Sequence, residues 1–73
     1  MKAVYIGSAE ISKVLGVSLR DAQYKLKAFE LSGMTINNGR KKLISVRRFA
    51  SWLAEQDGSD VNSLIADIRE ALA

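Results

Sequence analysis

The chain has 73 residues, a net charge of +3, and no cysteine, histidine or proline. One domain is expected at this length, burying only about 60% of its unfolded surface; the missing residue types exclude a disulfide and a zinc site built on thiolate or imidazole. Apolar residues make up 48% of the sequence, which argues against disorder, and no apolar run approaches the roughly 20 residues of a membrane span.

In chain order, Val4-Tyr5-Ile6 reads as an extended lead-in or a short strand. Met1 to Ile6 is too short for a signal peptide, so the expected location is cytoplasmic. Gly7 or Ser8 caps a first helix; with Gly7 as the cap, Glu10 falls at the third helical position, facing the positive helix end. Ile11, Val14 and Leu15 form its inner face, and Gly16 suits the left-handed residue that ends a helix. Ser18 caps a second helix, with Asp21 three residues on. Leu19, Ala22, Leu26 and Phe29 recur at helical spacing as its buried stripe, while Arg20, Tyr24 and Lys27 fall close to the opposite side, flanked by Gln23 and Lys25.

Ser32-Gly33 stops that helix, and Met34–Asn37 reads as a strand. Asn38-Gly39 is the hairpin signal, and Arg40–Ile44 the return strand. A two-residue turn there pairs Ile36 with Lys41; a longer loop pairs it with Leu43. Ser45 caps a third helix, Val46 to about Gln56, whose apolar face is Val46, Phe49, Trp52 and Leu53. After a break at Asp57–Asp60, Val61, Leu64, Ile65, Ile68 and Leu72 make a second amphipathic stripe. The expected organisation is a domain over residues 1–56, then a linker and C-terminal helix over 57–73.

An apolar helix end, a glycine turn and a capping serine, as in Ile11–Ser18, is the sequence form of a helix-turn-helix, whose second helix enters a DNA major groove. Charge agrees with that. Arg20 to Arg48 holds eight basic residues against two acidic ones, a segment charge of +6, whereas Glu55 to Ala73 carries −4. A basic middle points to a polyanion.

Over Ile6 to Leu53, about two-thirds of the chain, the sequence resembles the winged helix-turn-helix family of excisionases and MerR-type regulators. Ile6-Gly7 and Glu10 occupy the places of that family's Leu-Thr-like pair and following glutamate; Leu15-Gly16-Val17-Ser18 matches its turn, and Trp52-Leu53 its third helix. One departure is visible: the family's aromatic-then-basic pair in the recognition helix stands here as Tyr24-Lys25, shifted by one position. The resemblance implies a mainly α fold with a small β-hairpin, a winged helix-turn-helix plus a C-terminal helix. It also implies binding of repeated DNA sites and DNA bending for an integrase. A small transcriptional regulator is the alternative.

The residues expected at DNA are Ser18, Arg20, Gln23, Tyr24, Lys25 and Lys27 of the second helix, Asn38, Arg40, Lys41 and Lys42 of the wing, and Arg47 and Arg48 of the third helix. Arg20 has the planar fork that bonds both acceptors of a guanine, and the lysines suit phosphates, which position without specifying. The stripe Val61, Leu64, Ile65, Ile68 and Leu72 either completes the core or meets a partner, as an integrase, a second copy on adjacent DNA, or the target of a protein-interaction adaptor would provide. A long dimerisation helix and a ligand sensor are not expected, because about a dozen residues make a marginal helix alone. No paired carboxylates and no phosphate-cradling loop point to catalysis, so neither enzyme activity, cofactor, metal nor small-molecule ligand is expected.

Overall fold

Every helix begins where the sequence supplies a group to meet its free N–H donors. The computed structural model describes residues 4–73. Helix α1 spans Ser8–Leu15, and the N–H of its cap residue Gly7 donates to Glu10 Oε1 at 2.7 Å. Glycine has no side chain to return the bond, so this is half of a capping box. Helix α2, Leu19–Leu31, is capped by Ser18 Oγ, which accepts from the Asp21 N–H at 3.1 Å. Ser45 does the same for α3, Val46–Asp57, accepting from the Arg48 N–H at 3.0 Å. Asp60 caps α4, Val61–Leu72, accepting from the Ser63 N–H at 3.0 Å. Between α1 and α2, Gly16 takes φ 67° and its N–H returns to the Ser12 carbonyl at 2.9 Å, which turns the chain within three residues.

Three short strands form one antiparallel sheet in the order β1-β3-β2: β1 is Tyr5–Ile6, β2 Thr35–Asn38 and β3 Lys41–Ser45. The lead-in is thus an edge strand of the hairpin's sheet, with Ile6 opposite Ile44. In β2, Ile36 pairs with Leu43 and Asn38 with Lys41. Of the two registers open from sequence, this is the one that pairs Ile36 with Leu43, and the turn is Gly39-Arg40, one residue later than Asn38-Gly39. The reason is backbone cost. A turn centred on Asn38-Gly39 puts asparagine at positive φ, whereas here only Gly39 takes it (63°), the requirement of the turn with glycine at its first central position.

One core joins every element except β2, none of whose residues is buried. Ile6, Ile11, Ala22, Leu26, Phe29, Ile44, Val46, Phe49, Ala50 and Ile68 are buried. Phe29 meets Trp52 edge-on with ring centroids 5.1 Å apart, and Phe49 lies 6.1 Å from Phe29. Leu19, expected in the α2 stripe, is the first residue of α2 and is 50% exposed. Helix α4 packs on α3 and α1, and Ile68 belongs to the same cluster as Phe49 and Ile11. No second core forms after the break at Gly58–Asp60 among the described residues; Asp57, expected in the break, ends α3. The fold is mainly helical with a small antiparallel sheet, and no helix among the described residues is long and apolar enough to cross a membrane.

Candidate nucleic-acid interface

The buried face of α2 is fixed by Ala22, Leu26 and Phe29. At 100° per residue, that places Arg20, Gln23, Tyr24 and Lys27 on the outer side, and all four are exposed. The β2–β3 hairpin runs beside α2 because Ile44 packs in the same core as Leu26. Its loop and return strand bring Arg40, Lys41 and Lys42 to face the helix. The result is one open groove of about 720 Å³, lined by those seven residues together with Gly7, Ser8, Ala9, Glu10, Leu26 and Leu43. Five cations and one carboxylate line it. That carboxylate, Glu10, is already held by the Gly7 N–H.

The cations differ in what they touch. The Arg20 guanidinium lies 5.9 Å from the centre of the Tyr24 ring, one turn along the same helix, so the ring limits where the fork can point. Lys42 Nζ is 3.0 Å from Glu30 Oε1. Lys25 sits on the other flank of α2, its ammonium 5.3 Å from the centre of the Trp52 ring. No protein partner holds Lys27, Arg40 or Lys41 through an ion pair among the described residues.

Seven of the twelve residues expected at DNA therefore share the groove: Arg20, Gln23, Tyr24, Lys27, Arg40, Lys41 and Lys42. Five do not line it. Lys25 is drawn to Trp52. Ser18 is exposed, and its hydroxyl caps α2. Asn38 ends β2 opposite Lys41. Arg47 and Arg48 are exposed in the first turn of α3. The start of α1, Gly7–Glu10, walls the groove without a counterpart among the residues singled out from sequence. Its signal was there, in the glycine and glutamate that cap that helix, but their proximity to the hairpin depends on the pairing of β1 with β3.

The α4 stripe points inward. Ile68 is 2% exposed, and Val61, Leu64, Ile65 and Leu72 are half-buried against the core, so the surface offered to a partner by this stripe is small. A second cleft, about 560 Å³, lies between α1, β1 and the end of α4, where Lys13 and Arg69 flank Tyr5, Val46 and Leu72. Among the described residues no three carboxylates cluster as a metal site would require. No family model matches the chain, and no curated protein or solved structure matches it.

Proposed function

We propose that the chain is a winged helix-turn-helix that binds double-stranded DNA, with α2 in the major groove and the β2–β3 hairpin as the wing against the flanking backbone. The observation that carries this reading is the shared groove: a helix edge with Arg20, Gln23, Tyr24 and Lys27 faces a hairpin edge with Arg40 and Lys41. An α-helix with its side chains is about 10–12 Å across and fits a major groove about 12 Å wide. A phosphate strand bordering that groove then runs between α2 and the hairpin, where the cations stand. Arg20 suits the two acceptors of guanine, and Gln23, an amide with no side-chain hydrogen bond to the protein among the described residues, suits adenine. Lys27, Arg40 and Lys41 suit phosphates.

Within that reading the role we propose is an excisionase-like accessory factor of site-specific recombination. Helix α4 is folded onto α1 and α3 instead of extending as a dimerisation helix, and a helix and wing that grip adjacent grooves can hold bent DNA, the added contacts offsetting the deformation. Titration of duplex DNA from the gene's neighbourhood, against a scrambled duplex, tests the binding. The pair Arg20→Ala and Lys27→Ala, both on the exposed side of α2, is expected to weaken specific binding about ten- to a hundredfold with an unchanged melting curve. Unchanged affinity overturns the reading and favours a protein-interaction adaptor. Stepwise occupancy of several sites supports the accessory role, and a single promoter-proximal site supports a regulator. Circularly permuted fragments test bending: equal migration of all the complexes rules it out.

A further inference from the structure

The basic residues of the hairpin are not equivalent, and one acidic residue makes the difference. Glu30 and Lys42 form the single ion pair among the described residues, at 3.0 Å. Glu30 stands in the last turn of α2, facing β3, and is not part of the groove lining that Lys42 belongs to. Both side chains are partly shielded, 31% exposed for Glu30 and 41% for Lys42. Arg40 and Lys41, the neighbours of Lys42 in the hairpin, are exposed.

Two physical reasons favour this pairing over a phosphate for Lys42. A carboxylate near a helix C-terminus meets the negative end of the helix dipole, so a cation at contact distance relieves it. The spacing between α2 and β3 is also set in advance, because Leu26 and Ile44 share the core; bringing the two side chains together orders those side chains but no further backbone. Lys27 lies one helical turn from Glu30, yet the ammonium found at Glu30 is that of Lys42. The cross-element pair leaves Lys27 directed to the groove.

We propose that Glu30 withholds Lys42 from DNA. Lys42 then acts as a spacer between recognition helix and wing and not as a phosphate ligand, and the sequence-independent part of the affinity is lower by one cation. Discrimination between sites rests correspondingly more on α2. This inference rests on the DNA-binding reading and assigns Glu30 a positioning role in it.

The test is the salt dependence of binding to scrambled duplex DNA. Four groove cations free of ion pairs among the described residues, Arg20, Lys27, Arg40 and Lys41, correspond to a slope of log affinity against log salt of about −3.6, or a loss of about 150-fold from 50 to 200 mM. Lys41→Ala is expected to reduce the slope to about −2.7. Lys42→Ala is expected to leave it at the parent value. Glu30→Gln frees Lys42, steepening the slope to about −4.5 and the loss to about 500-fold. The double variant Glu30→Gln with Lys42→Ala returns to the parent slope, because the effect passes through the lysine. A shallower slope for Lys42→Ala overturns the inference while leaving DNA binding intact. So does a double variant as steep as Glu30→Gln, since the charge of Glu30 alone then explains the change. A parent chain with no salt-dependent binding overturns the DNA reading, and this inference with it. Melting curves of all four variants exclude loss of fold as the cause.

Discussion

Ile68→Ala asks whether α4 is part of the folding unit or a detachable arm. Ile68 is 2% exposed and sits in the cluster formed by Phe49, Ile11 and Val46. Truncating isoleucine to alanine removes about three methylene equivalents, near 2.4 kcal/mol of transfer free energy at about 0.8 kcal/mol each. The cavity left behind adds to this, so the expected loss is about 3–4 kcal/mol. A domain of 73 residues has a total stability of only about 4–11 kcal/mol. The substitution therefore removes between about a quarter and all of it, a fall in melting temperature of about 20–25 °C if unfolding entropy is about 2.1 cal/mol/K per residue. Urea unfolding followed by helical circular dichroism measures the change. A single transition that shifts by this amount means that α4 folds with the rest. A loss under about 1 kcal/mol, or an early separate step, means that α4 detaches without the core. The inward-facing stripe would then be free to meet a partner, and the reasoning from burial would be wrong.

Three further outcomes follow from local geometry. Asp60→Ala removes the cap that meets the Ser63 N–H and is expected to cost about 1 kcal/mol in the same urea assay. Gly39→Ala finds open space around the new methyl group but must hold φ +63°; a loss of about 1–2 kcal/mol is expected from the backbone alone, smaller for Gly39→Asn, and no loss would mean that the turn had shifted. The Ser59 side chain and backbone N–H hold the Asp57 carboxyl below its ordinary pKa of 3.8. A depressed pKa stabilises the fold at pH values above the ordinary one, and that contribution is lost as pH falls through the depressed value. Asp57→Ala is therefore expected to be less stable than the parent at neutral pH and to converge with it in acid; a difference that persists at the lowest pH points instead to the turn itself.

Local features were legible because their causes are local. Ser18, Ser45 and Gly16 mark helix ends through bonds that reach three or four residues. The spacing of Ala22, Leu26 and Phe29 fixes the buried face of α2 whatever lies opposite. Leu19 shows the limit: its period matches the stripe, but half of it stays exposed, because periodicity does not say where the covering elements end. The hairpin register shows another. Asn-Gly and Gly-Arg both occur at the loop, and the choice between them turns on a backbone cost that composition does not show: only Gly39 takes positive φ, and Ile36 pairs with Leu43.

Charge was the least legible property, because a sequence counts cations without their partners. The segment from Arg20 to Arg48 holds eight, and counted as phosphate ligands they correspond to a slope of about −7. The fold divides them. Lys42 meets Glu30 twelve residues earlier, and Lys25 meets Trp52 twenty-seven residues later. Arg47 and Arg48 begin a helix outside the groove lining. Those separations lie beyond any helical or hairpin period, so no local pattern could have shown them. Among the described residues, only Arg20, Lys27, Arg40 and Lys41 both line the groove and lack an ion pair. A measured slope near −3.6 would agree with this count and a slope near −7 with the one from sequence, so a salt titration of the unmodified chain decides whether the cations act as a linear cluster or as the folded surface arranges them.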